Sequence, residues 1–142
     1  MMNNSPDPPH LLEAAVDLHL RDRRALVTAA SSGIGKACAA ALAEEGAEVF
    51  VCARTPERLA NAAQETGARG FLAADLTSSA DIDRLLAAAV DTLGGLDILV
   101  TNVPNPSVGG FGQMTDEEWD RAHQATLMSV VRLIRLGLPW LV

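Results

Sequence analysis

Ala25-Leu26-Val27-Thr28-Ala29-Ala30-Ser31-Ser32-Gly33-Ile34-Gly35 is an apolar run, a turn of small residues and the opening of an alanine-rich stretch. This reads as strand, turn, helix. Such a corner leaves backbone N–H groups at the helix start facing outward, where they can hold a phosphate. Gly33 lets the backbone approach a diphosphate, and Gly35 lets the helix pack closely on its strand. The two glycines carry weight because they follow a strand and precede a helix inside a βαβ unit. A plain tight strand-to-helix turn is the competing reading.

Outward from this corner the pattern alternates regularly. Arg24 to Ala30 is predicted as a strand and Gly33 to Glu45 as a helix stopped by Gly46. Ala47 to Ala53 is a second strand, apolar almost throughout, as expected where both faces are covered. Thr55 in the N-cap position and Pro56 at the first helical position open a helix to about Thr66, and Gly67 closes it. Gly70 to Ala74 is a third strand, followed by the turn Asp75-Leu76-Thr77. Ser78 or Ser79 caps a helix to about Leu93, with Ile82, Leu85, Leu86, Ala89 and Val90 on one face. Leu96 to Thr101 is a fourth strand, and Val103 to Gly112, with its prolines and glycines, a loop. Thr115 with Glu118 three residues on forms a capping box for a last helix running to about Gly137. Alternation of this kind, with short links, defines an α/β fold: a doubly wound parallel sheet with right-handed crossovers. Met1 to Ser5 and the prolines that follow suggest a flexible leader over residues 1–16, with a short helix over His10 to Leu18; residues 17–142 form the domain.

Composition sets limits. The chain has 142 residues, 49% of them hydrophobic and 20% charged, a globular balance. A formal charge of −7 and a pI near 4.8 argue against a nucleic-acid partner, which needs a basic stripe. No run approaches the roughly 18 apolar residues of a membrane span. The acidic, non-basic start does not read as a secretory signal, and a cytoplasmic location is expected. Cys38 and Cys52 read as buried thiols of a reduced compartment. His10, His19 and His123 are scattered, so no metal site is expected. The acidic cluster Asp116, Glu117, Glu118 and Asp120 is accounted for by the helix dipole. Trp119, Ala122, Val130, Leu133, Ile134 and Leu138 recur at helical spacing, as a core stripe or a partner-binding face.

The stretch Thr28 to Gly35 resembles the Thr-Gly-x-x-x-Gly-x-Gly turn of the short-chain dehydrogenase/reductase family. Asp75-Leu76 is similar to that family's Asp-hydrophobic pair, and Leu96 to Asn102 to the strand entering its Asn-Asn-Ala-Gly motif. The resemblance runs from about Leu18 to Trp140 and looks closest to the 3-oxoacyl-carrier-protein reductase branch. It implies a Rossmann-like domain with strand order 3-2-1-4, present here in truncated form. It further implies an oxidoreductase that interconverts a carbonyl and an alcohol, its substrate unidentified. Ser31, Ser32, Gly33, Ile34 and Gly35 would surround the phosphates, Asp75 and Leu76 the adenine, and Asn102 the adenine-side ribose through its backbone.

Charge distinguishes the two nicotinamide cofactors. An acid ending the second strand would bind a ribose 2′-hydroxyl and repel a 2′-phosphate. Here that strand ends Cys52-Ala53-Arg54, and the guanidinium of Arg54 suits a charge-assisted fork on a phosphate. Arg58, one turn on, is a second cation. NADP(H) is therefore favoured over NAD(H). A methyltransferase, another doubly wound protein, would need an acid after the second strand, which Ala53-Arg54 does not offer.

Departures from the family pattern matter equally. Ala29 replaces a glycine, which is tolerable only at negative φ. Val103-Pro104 replaces Ala-Gly, and proline removes an N–H and fixes φ, so a changed loop path is expected. Thr126 stands where the family carries a supporting asparagine. The family's general acid is a tyrosine with a lysine four residues later, yet this sequence has no tyrosine and its one lysine is Lys36. Carbonyl reduction needs a positioned proton donor, so the expectation is a chain inactive alone. A non-enzymatic nucleotide-binding or oligomerisation module, and a truncated product or fragment, are the alternatives. The fourth strand would be an edge with unpaired groups over Asp97 to Thr101, so a homo-oligomer is expected.

Overall fold

β-branched, aromatic and small apolar residues form four short parallel strands, β1 (Arg24–Val27), β2 (Glu48–Ala53), β3 (Gly70–Ala73) and β4 (Ile98–Val100). The computed structural model describes residues 16–103 and 109–141. The strand order is β3-β2-β1-β4, with Ala25 opposite both Val49 and Ile98. This is the doubly wound, Rossmann-like sheet that the alternation implies.

The period of two along a strand divides the core. Ala25, Val27, Val49 and Val51 face one side, where they bury Ala39 of α1 (Gly33–Glu44) and Leu59 and Ala63 of α2 (Pro56–Thr66). Leu26, Phe50 and Cys52 face the other, against Ile82, Leu85, Leu86 and Ala89 of α3 (Ser79–Leu93) and Leu133 of α5 (Ser129–Gly137). Helices α2 and α3 stop at Gly67 and Gly94, both left-handed at φ 69° and 77°, as C-terminal glycines do.

At the amino ends of the strands a staple joins β1 to β4. Arg24 Nε and Nη2 donate to the two carboxylate oxygens of Asp97, each at 2.8 Å, and Arg24 N donates to Oδ2. The guanidinium and backbone donors of Arg24 hold the Asp97 carboxyl well below the usual carboxylate range. In this sheet β4 is an edge. Among the described residues its outer neighbourhood holds one isolated bridge, parallel, between Leu96 and Leu141.

Three local expectations change. β1 ends at Val27 rather than Ala30 because the chain turns left-handed at Ala29, φ 49°. The last helix runs unbroken to Gly137 as expected, but it is not α-helical throughout: α4 (Asp116–His123) and α5 are joined by a π turn, Gln124–Met128. There Thr126 Oγ1 donates to Ala122 O at 2.7 Å and Ser129 Oγ to Ala125 O at 2.6 Å, side-chain bonds that compete with the regular ladder. The capping box of α4 forms in full. The leader and most of the helix over His10 to Leu18 lie outside the described residues, but Val16 to Leu18 is not helical. Pro104 also lies outside them.

Candidate dinucleotide-binding cleft

The carboxyl ends of β1, β2 and β3 open into a cleft of about 250 Å³. Each βα connection contributes one wall: Ala29, Ser31 and Ser32 after β1, Ala53, Arg54, Thr55 and Arg58 after β2, and Ala74 to Thr77 after β3. Ala125, from the π turn, closes the fourth side. Crevices at this end of an open α/β sheet are where such folds bind ligands.

The first wall is held from behind. Thr28 Oγ1 donates to Asn102 O at 2.6 Å, and Asn102 Nδ2 donates to Ala29 O at 3.2 Å. Ala30 N donates to Cys52 O at 2.9 Å, and the Ala29 amide faces the Cys52 sulfur. These bonds hold Ala29 left-handed, contrary to the negative φ that its methyl group was expected to require; the cost is about 1 kcal/mol. Burial pushes the Cys52 thiol up to about 12, which leaves it an inert packing group.

The two glycines do different work. Gly33 is exposed at φ 56°, and a Cβ there would meet nothing within 4 Å. The backbone is therefore open to an approaching ligand. Gly35 is buried, and a Cβ on it would lie 2.5 Å from Ala29 O and 2.7 Å from Asn102 Nδ2. Only a glycine lets α1 start this close to the turn.

Side-chain capping differs among the helices. Ser78 Oγ accepts from Asp81 N at 3.2 Å, and Thr115 Oγ1 accepts from Glu118 N at 3.3 Å. Ser32 and Thr55 occupy the same N-cap position on α1 and α2, yet neither side chain makes a cap bond. For Thr55 this corrects the expected cap. Two helix starts on the cleft thus keep unsatisfied N–H groups, and both favour negative charge. The exposed guanidinium groups of Arg54 and Arg58 add to that preference.

On the third wall Asp75 is exposed and its carboxylate is set by an Asx turn: Oδ1 accepts from Thr77 N at 2.9 Å and Thr77 Oγ1 at 2.8 Å. Its own N–H donates to Asp81 Oδ2 at 2.8 Å. That bond, with Arg84 Nη2 3.1 Å from Oδ1, lowers the Asp81 carboxyl from its ordinary value.

Of the residues singled out from sequence, Ser31, Ser32, Arg54, Asp75 and Leu76 meet in the cleft. Gly33 and Ile34 are exposed on the same turn but do not line it. Gly35 and Asn102 support the turn from beneath. Thr126 does not line the cleft, and its hydroxyl is spent on its own helix, while its neighbour Ala125 is a wall residue. Thr77 and Ala125 were missed. The Asp-x-Thr spacing carried a signal for the first, and nothing in the periodicity of a helix signals the second. Among the described residues no helix is long and apolar enough to cross a membrane, and no group of three His, Cys, Asp or Glu side chains could hold a metal.

A parallel sheet in the order β3-β2-β1-β4 with this cleft at its carboxyl ends defines a doubly wound, Rossmann-like α/β protein. The short chain dehydrogenase family model matches residues 23–142, and the chain belongs to that family. An uncharacterized oxidoreductase of Bacillus subtilis is 38% identical over 127 residues, covering 87% of this chain and 48% of its own length. Among solved structures, a short chain dehydrogenase from Burkholderia cenocepacia in complex with NADP superposes with a TM-score of 0.80 at 28% identity, over 86% of this chain and 52% of that one. A tryptophan-for-phenylalanine variant of actinorhodin polyketide ketoreductase with NADPH superposes with a TM-score of 0.76 at 37% identity, over 82% and 46%. The chain spans about half the length of the curated relatives it matches.

Proposed function

We propose that this chain is the NADP(H)-binding part of a short-chain dehydrogenase/reductase-type oxidoreductase acting on a carbonyl or alcohol. The observation that carries the reading is the convergence of two uncapped helix starts, Ser32 and Thr55, with Arg54 and Arg58 on one cleft. A dinucleotide carrying an additional phosphate fits that charge pattern. The diphosphate lies against the N–H groups of Ser31, Ser32, Gly33, Ile34 and Gly35, and Arg54, with Arg58 behind it, grips the 2′-phosphate. Asp75 and Leu76 meet the adenine, and the backbone of Asn102 the adenine-side ribose. Such a cofactor, when bound, supplies the hydride.

Proton donation is a different matter. The sequence has no tyrosine, and Lys36 is committed to an ion pair with Glu65. These residues alone therefore bind cofactor without reducing a carbonyl. NADPH titrated into the chain is expected to bind, and Arg54→Ala to weaken it about 10- to 100-fold, as loss of a charge-assisted fork does. Affinity for NADH should barely change. Equal NADPH affinity in both proteins would remove the claim for Arg54, and no binding at all would remove the cofactor reading.

Self-association belongs to the same reading. Leu127, Val131, Ile134 and Leu138 are exposed along the π turn, α5 and the residue after it. The first turn of α4 is acidic and the last turn of α5 carries Arg135, so an antiparallel second copy would meet opposite charge. Light scattering across a concentration series is expected to give a dimer or larger species; a monomer throughout would reject this.

A further inference from the structure

Arg132 does not line the cleft, yet it bonds the wall residue Thr77 and Gln124, the neighbour of the wall residue Ala125. Its side chain is half-buried on α5. Nη2 donates to Gln124 Oε1 at 2.7 Å, and Nη1 donates to Thr77 O at 3.4 Å. The first bond reaches back eight residues, across the whole π turn that carries the wall residue Ala125. The second crosses to the loop after β3, at the residue whose N–H and hydroxyl both hold the Asp75 carboxylate. One planar guanidinium thus grips both structures at once, a geometry that Arg offers and Lys does not.

We infer that Arg132 is a positioning residue: it latches the Asp75-Leu76-Thr77 loop to the π turn and so holds the adenine end of the cleft in its binding-competent shape. This rests on the cofactor reading above. The start of the loop is already fixed by Asp81, which receives the Asp75 N–H, by the Ser78 N–H on Asp75 O at 3.0 Å and by Leu76 in the core. Arg132 adds an anchor at the exposed Thr77, from a different helix 55 residues away in sequence. Without it Thr77 and the Asp75 carboxylate that it orients sample other arrangements, and apparent affinity falls in proportion to the competent fraction. Gln124 sets the guanidinium, so its loss acts through Arg132 without any change of charge.

The test uses the full chain, NADPH as probe, and amide hydrogen exchange of the cofactor-free protein as a second readout. Arg132→Ala is expected to weaken NADPH about five- to tenfold and to speed exchange at Leu76 and Thr77 by a similar factor, with exchange in β1 and β2 unchanged. Arg132→Lys keeps the charge but cannot span both acceptors, and is expected to recover less than half of the loss. Gln124→Ala, which is neutral, should weaken NADPH about two- to threefold. Full recovery by lysine with no effect of Gln124→Ala would mean that only long-range charge matters, and would overturn the latch. Unchanged exchange at Leu76 and Thr77 in Arg132→Ala would overturn it too, whether or not NADPH binds. A wild-type chain that fails to bind NADPH while the exchange difference persists would sink the cofactor reading and leave the latch standing.

Discussion

Gly35→Ala is expected to abolish measurable NADPH binding and to destabilise the fold by about 2–3 kcal/mol, the cost of forcing one methyl group into a packed site. The new Cβ would sit 2.5 Å from a backbone carbonyl oxygen, Ala29 O, and 2.7 Å from Asn102 Nδ2. Neither is the loose end of a long side chain. Ala29 is already left-handed, and its carbonyl is the acceptor that Asn102 uses to brace the turn. Relief of the clash therefore moves the turn itself or lifts α1 from it, and the outward N–H groups move with it. Gly33→Ala is the control: it meets no atom, bears only the strain of φ 56°, and is expected to cost about 1 kcal/mol. Urea unfolding and NADPH titration of both variants decide the matter. A Gly35→Ala protein as stable and as tightly binding as wild type would mean that α1 does not start against this turn.

The second large effect is expected at Leu133. It is fully buried, packed in the core under α3, whereas its neighbours Val131 and Ile134 are exposed. The buried positions of α5 are Ser129, Leu133 and Gly137; Leu133 is its one fully buried large side chain, with half-buried Leu136 packed against the same core. Leu133→Ala is expected to cost about 2–5 kcal/mol, a large share of the 5–15 kcal/mol typical of a domain. Asp83→Ala, on the exposed side of α3, should cost under about 0.5 kcal/mol. Denaturant midpoints at constant slope measure both. A loss below 1 kcal/mol at Leu133 would mean that α5 does not dock as described, and the Arg132 latch beside it would lose its platform.

Much of this architecture was legible from residue order. The strand-helix alternation, the stops at Gly67 and Gly94 and the capping box at Thr115 all depend on contacts within a few residues, which sequence spacing reports directly. The features that were not legible depend on distance along the chain. Ala29 looked incompatible with a left-handed turn because the partners that hold it there, the Asn102 amide and the carbonyl and sulfur of Cys52, lie beyond any local window. The last helix is unbroken as expected, but its π turn was not foreseen: Thr126 and Ser129 bond back four residues through their hydroxyls, and either residue in a helix is ordinary. Of the candidate site, the five cleft-lining residues could be named because they sit in βα connections, each at a strand's carboxyl end. Thr77, Ala125 and Arg132 could not, since what joins them is the approach of α5 to the loop after β3.

The Arg24–Asp97 staple lies at the opposite pole of the sheet from the cleft. Tightness of the scaffold and recognition of a ligand are therefore set at separate addresses on the same strands. Variation near Arg24 can raise or lower how firmly the central and edge strands are clamped while the ligand-facing rim keeps its shape, so this protein can drift in robustness without drifting in what it binds.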